Sequence, residues 1–261
     1  MNHPFPKLPY PVIDAHVHPF VESSQSISRY GLTATTEEFF DELKKCGFQK
    51  VCGSVLGKDI TGFEDIRRLN RQMMALKRQY PDFYEPGIHV YGKDAKASCE
   101  EVENLHREED VRWIGELVNY SMDIGEYNSP GMLEIFSLAA DLEMVVNIHC
   151  GDLAVMEDVC RNVPRLKVVL AHPGDVGSAL ERLDFIRRYE NAYIDISGTG
   201  LFRWGLLTYA IKTIGASKIL FGSDFPVCSA GMNLGGVLAE PLSDEELMLI
   251  LGGNFLRLIG R

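Results

Sequence analysis

The sequence predicts a single-domain α/β fold, a (β/α)8 TIM barrel built from residues 1–261, and three observations lead there. The chain has 261 residues, close to the roughly 250 typical of such a barrel. Eight short β-branched or aliphatic runs alternate with helix-length amphipathic stretches, the pattern of a parallel sheet closed on itself. After the first run, where an open doubly wound sheet would carry a Gly-rich phosphate turn, the chain reads HVHPF.

Taken in order, the strands are expected at 12–18, 50–56, 84–90, 111–117, 144–150, 167–173, 192–198 and 218–224. The stretch 35–47 opens on Thr35 and closes on Gly47, a capped helix. A second helix over 63–80 stops before Pro81, which cannot continue it. Residues 178–190 repeat the same apolar spacing. A last helix over 243–260 has Ser243 as its cap and an acidic first turn that suits its dipole. No linker, low-complexity segment or internal repeat divides the chain.

Composition narrows the function. Hydrophobic residues make up 46% and charged residues 24%, ordinary for a globular domain. A net charge of −11 would be repelled by nucleic acid or an anionic membrane, so the expected partner is a small-molecule substrate. The oligomeric state is left open, with a homo-oligomer among the options. The six cysteines form no CxxC pair and read as free thiols of a reducing compartment. The N-terminal stretch lacks an apolar signal region, and no apolar run approaches a membrane span. A cytoplasmic protein is the expectation.

Chemistry concentrates at the ends of the strands. His16 and His18 end the first, His149 the fifth and His172 the sixth; in a barrel these ends converge on one mouth. Strand alternation places Asp14, His16 and His18 on one face of IDAHVH, with Ile13, Ala15 and Val17 on the other, packed outward on the helices. It also turns Asn147 and His149 inward on the fifth strand, and Asp224 inward on the eighth. A lone buried histidine is usually a hydrogen-bonded core residue, but an inward HxH pair joined by His149 and Asp224 is a metal-ligand set. It suits zinc or another divalent first-row ion. Glu116 ends the fourth strand on the face of Ile114 and could bridge a second ion, or else hydrogen-bond within the mouth. Asp14 lies deeper, where orienting a ligand is the more natural role. Cys150 and Cys228 read as packing residues. His89, ending the third strand, is a further candidate for the mouth.

IDAHVH, NIHCG, VLAHPG, LFGSDFP and GGNFLRLIG, in this order over nearly the whole chain, resemble the amidohydrolase superfamily, in particular its amidohydrolase-2 branch. That branch includes aminocarboxymuconate-semialdehyde decarboxylase and related decarboxylases and hydrolases. The resemblance implies a distorted (β/α)8 barrel with His16, His18, His149 and Asp224 as metal ligands. His172 matches a histidine that binds a second metal or contacts substrate. WIGEL is similar to the GE motif of TatD-type hydrolases, where the Glu bridges two metals. No lysine ends the fourth strand, so a carbamylated-lysine bridge is not expected. The centre then holds one ion, or two bridged by Glu116; the substrate role of the matching histidine in the most similar enzymes favours one.

The favoured activity is metal-assisted hydrolysis of a small amide, ester, lactone or phosphoester, with Asp224 shuttling the proton and His172 stabilising the substrate oxygen. Non-oxidative decarboxylation on the same ligand set is the first rival, with Arg29, Lys58 or Arg203 gripping the substrate carboxylate. A metal-binding barrel without catalysis is the second.

Overall fold

In the computed structural model, which describes residues 5, 7–149 and 151–261, eight parallel strands pair in chain order. They are β1 (Ile13–Val17), β2 (Lys50–Gly53), β3 (Tyr84–Ile88), β4 (Trp113–Leu117), β5 (Val145–Ile148), β6 (Lys167–Leu170), β7 (Ala192–Asp195) and β8 (Ile219–Leu220). The chain beyond β8 returns to β1: Ala15 N–H donates to Phe221 O (2.9 Å), Asp224 N–H to His16 O (2.8 Å) and His18 N–H to Phe225 O (2.8 Å). These bonds close the sheet into a barrel. The strands are shorter than the sequence runs: most runs continue past their ladders into the loops that form the mouth, whereas the fourth is shortened at its start.

Helices α1 (Thr36–Lys45), α2 (Phe63–Gln79), α3 (Ala95–Glu109), α4 (Asn119–Met122), α5 (Pro130–Asp141), α6 (Leu153–Asn162), α7 (Val176–Arg188), α8 (Leu206–Ile214) and α9 (Ala230–Ala239) fill the crossovers. Their starts follow local chemistry. Thr35 and Glu38 form a reciprocal capping box at α1, and Ser129 caps α5 with Pro130 in its first turn. The long C-terminal helix expected over 243–260 is broken into α10 (Asp244–Met248), a π segment (Leu249–Gly253) and α11 (Asn254–Leu258). Gly252 leaves helical geometry there, and a Cβ on it would press on Pro11 O at 2.7 Å.

Two apolar layers result. Val17, Val51, Ile114, Val146, Ile148, Val168, Leu170, Ile194 and Phe221 pack outward with the helices. Inside the barrel, side chains from every strand except β3 meet: Ile13, Ala15, Cys52, Trp113, Val145, Val169, Tyr193 and Leu220. Phe255, Leu258 and Ile259 join this inner cluster and plug the barrel floor. Each large apolar side chain so buried contributes about 2 kcal/mol, which offsets the cost of a polar, charged mouth above it. No helix among the described residues is long and apolar enough to cross a membrane. The described cysteines are all free thiols.

Candidate metal centre

Regular alternation does not build this mouth, and the face assignments for β1 and β4 need correction. Ile13 and Ala15 lie inside the barrel while Val17 lies outside, so they do not share the outward face expected of them. The ladder gives the reason. Between Asp14↔Val51 and Val17↔Gly53, β1 spends one residue more than β2. The same happens on β4, between Ile114↔Val146 and Leu117↔Ile148. A bulge resets the alternation and re-aims the next side chain, which swings His16 and Glu116 inward. Glu116 therefore leaves the face of Ile114, which stays in the outer layer. Gly115 makes the second bulge feasible: its φ is +101°, and any Cβ there would run into Asn147 O. β5 needs no such device, and Asn147 points inward as read from the sequence.

His172 and Asp224 lie beyond their ladders, each with a positive φ of 64°. Such a conformation is uncommon outside glycine and recurs at functional sites. Gly198 makes room between them: its absent Cβ would sit 2.5 Å from His172 Nδ1 and 3.2 Å from Asp224 Oδ2.

The six ligand candidates converge around Glu116. Its Oε2 lies 3.5 Å from His16 Nε2 and 3.3 Å from His18 Nε2. Its Oε1 lies 2.9 Å from His149 Nδ1 and 3.3 Å from His172 Nε2. Asp224 Oδ1 stands 3.3 Å from His18 Nε2 and 3.9 Å from His16 Nε2. His16, His18 and Glu116 form one cluster with the spacing of a metal site, and Glu116, His149 and His172 form another. Four imidazoles and two carboxylates are the donor chemistry of a first-row divalent ion, so the residues present fit the group.

The electrostatics agree. Burial opposes a charge on His16, yet Asp195 and Glu116 outweigh it and hold its pKa well above the usual imidazole range. His18 is likewise penalised by burial, but its hydrogen bonds to Asp224 and Glu116 push it up to about 9. Glu116 is held well below the carboxylate range: burial would raise it, and His16, His149 and His172 overcome that. Protons and divalent ions compete for the same lone pairs, and a ligating imidazole must be neutral. Metal uptake should therefore release protons, and affinity should climb with pH until His18 titrates near pH 9. Calorimetric zinc titrations in buffers of different ionisation heat check this; equal affinity at pH 7 and pH 9 without proton release would contradict it.

The other sequence candidates divide. Arg29 and Lys58 line a cavity of about 580 Å³ over the centre, together with Tyr120, His149, His172 and Asp224. Arg203 lies elsewhere, donating to Gly174 O at 3.3 Å and stacking on Phe202. It follows the β7 strand but turns toward α7. His89 is 1% exposed and outside the cavity lining. Its Nε2–H donates to Val55 O at 2.9 Å, and burial lowers its pKa to about 4. It is a neutral brace for the loop carrying Lys58. Asp14 accepts from the backbone N–H of His16 (3.1 Å) and of Ser223 (2.9 Å), so it anchors the bulge and the β8 end and leaves the rings alone. Cys228 is half-buried near Phe225, and Cys150 lies outside the described residues.

Asp195, Ser197 and Tyr120 escaped the sequence reading. Asp195 Oδ2 accepts from His16 Nδ1 at 2.9 Å, and the Tyr120 ring meets the His149 ring edge-on at 5.1 Å. The signal for the first two was available: Tyr193, Asp195 and Ser197 alternate with apolar Ile194 and Ile196, and polar residues on the inner face of a barrel strand collect at its mouth. Tyr120 lies in the four-residue helix α4 just after β4, too short a segment for any periodicity to mark it.

The amidohydrolase family profile matches residues 13–261. No curated protein matches the chain in sequence. Among solved structures, 5-carboxyvanillate decarboxylase from Sphingomonas paucimobilis aligns with a TM-score of 0.76 at 16% identity, over 96% of this chain and 99% of that one. 2,6-Dihydroxybenzoate decarboxylase complexed with 2,6-dihydroxybenzoate gives 0.75 at 15% identity, over 97% and 100%. A 5-carboxyvanillate decarboxylase from Novosphingobium aromaticivorans, complexed with manganese and 4-hydroxy-3-methoxy-5-nitrobenzoic acid, gives 0.75 at 14%, over 97% of each chain. At these identities the likeness is one of fold.

Proposed function

Since the chain belongs to the amidohydrolase family, we propose that it is a hydrolase whose centre takes two divalent ions bridged by Glu116, acting on a small anionic substrate. One observation carries this reading: the two oxygens of Glu116 face different histidine pairs, Oε2 toward His16 and His18, Oε1 toward His149 and His172. A carboxylate split in this way would help hold an ion on each side. It favours two ions over the single ion suggested by resemblance. Zinc and manganese both suit the donor set.

Bound there, divalent ions would supply Lewis acidity, polarising the scissile group and making water a better nucleophile. Asp224 is the more exposed of the two carboxylates and lines the cavity. It accepts the proton of the attacking water and returns it to the leaving group. Arg29 and Lys58 stand on the loops after neighbouring strands β1 and β2, and among the described residues neither pairs with a carboxylate. In a chain of net charge −11, two uncommitted cations at the mouth draw in an anionic group that the rest of the surface repels. Ile27, Leu56, Val118 and Val227 supply apolar wall for the substrate body.

Non-oxidative decarboxylation is the second reading, favoured by the likeness in fold to aromatic-acid decarboxylases and by the same two cations. Asp224 would then deliver a proton to carbon. Metal analysis of the zinc- and manganese-loaded protein, with a screen of carboxylate-bearing lactones, esters, amides, phosphoesters and aromatic acids, separates the two. Two ions per chain with hydrolysis is the expected result. One ion per chain with carbon dioxide released from an aromatic acid would overturn it in favour of the second reading.

A further inference from the structure

Beneath the centre, Asp195 is 1% exposed and receives donors on both oxygens. Oδ2 accepts from His16 Nδ1 (2.9 Å) and Asn147 Nδ2 (3.0 Å). Oδ1 accepts from the backbone N–H of His172 (3.3 Å) and of Ser197 (3.1 Å), and from the Ser197 hydroxyl. Two of these donors are backbone groups that cannot turn away. Asn147 is also committed, since its amide donates to Val169 O at 3.2 Å as well. A proton on either oxygen would face a donor, so this carboxylate is ionised and accepts only.

Proton bookkeeping then settles two rings. His16 must carry a hydrogen on Nδ1 to reach Asp195, so Nε2, turned toward His18 and Glu116, is the nitrogen it can offer to a metal. The Ser197 hydroxyl has one hydrogen and spends it on Asp195. Toward His172 Nδ1, 2.9 Å away, it can only accept. His172 therefore also carries its hydrogen on Nδ1, with the Nε2 lone pair facing Glu116.

We propose that Asp195 is the positioning residue of the whole centre, acting directly on His16 and through the Ser197 hydroxyl on His172. It thereby holds one ligand from each half of the site in the tautomer that offers Nε2 to a metal. A carboxylate behind a ligating histidine is a recurrent device; here a single one serves both halves. The assignment to two halves rests on the two-ion reading, whereas the tautomers do not.

Ser197→Ala is the decisive variant, because it removes one oxygen and no ligand atom. Zinc-loaded protein with ¹⁵N-labelled histidine is compared with the parent by long-range ¹H–¹⁵N spectra and by zinc titration. The parent should show Nδ1–H patterns for both His16 and His172. In Ser197→Ala the His172 pattern should be lost and one zinc should bind about 10–100-fold less tightly. The His16 pattern and the affinity of the other zinc should stay within about twofold. Asp195→Asn should disturb both rings, since its amide N–H would oppose fixed donors on whichever side it faces. An unchanged His172 pattern in Ser197→Ala, or equal weakening of both zincs, overturns the proposal. If the parent binds one zinc only, the two-ion reading fails while the tautomer spectra still decide this one.

Discussion

Glu116→Gln should cut the metal content to one ion per chain and lower turnover about 10³-fold. The amide keeps the shape of the side chain but loses its charge, and only one of its two ends still offers an oxygen. One histidine pair therefore faces an N–H where a ligand should be. Glu116 is 3% exposed and within 3.5 Å of all four imidazoles, so the change reaches both halves of the centre. Losing one ion removes several kcal/mol of charge stabilisation in the transition state, and each 1.36 kcal/mol is tenfold in rate. Metal analysis and anomalous scattering give the count, and steady-state kinetics give the rate. A variant that keeps two ions and parent turnover would show that Glu116 hydrogen-bonds within the mouth and does not bridge.

Asp224→Asn should cost about 10²–10⁴ in turnover, the usual worth of general acid–base catalysis. Asn preserves the size of the side chain, and the backbone N–H of residue 224 still donates to His16 O, as it does now at 2.8 Å. The proton acceptor is gone. Asn is also a weaker ligand than Asp, so metal content has to be measured on the same sample, with excess zinc restoring occupancy. A metal-replete variant turning over at the parent rate would reduce Asp224 to a ligand and leave proton transfer to another group.

Much of this is legible in the sequence. The eight apolar runs and their intervening amphipathic stretches identify the barrel, since alternation of period 2 and period 3.6 is a local property of the chain. His149 and Asn147 follow simple strand parity, and β5 is regular enough to obey it. His16, His18, Glu116 and Asp224 were named from their places at strand ends, yet the reason they converge was not visible. Two bulges and two positive-φ residues turn them inward, and a single extra residue in a ladder leaves no mark on hydrophobic periodicity. The last helix misled for a similar reason: its apolar spacing is continuous, but Gly252 is pressed against Pro11 from the far end of the chain.

What the sequence by itself determined is therefore the barrel, the family and the residue types at its mouth, because pattern and motif are written along one dimension. Only the tertiary structure decided which oxygen of Glu116 meets which histidine pair, that Arg29 and Lys58 share the cavity while Arg203 does not, and that Asp195 governs two rings. Those relations join β1, β4, β5, β6 and β7 across the barrel, and distances between strands far apart in the chain exist only once the ladder register has been set.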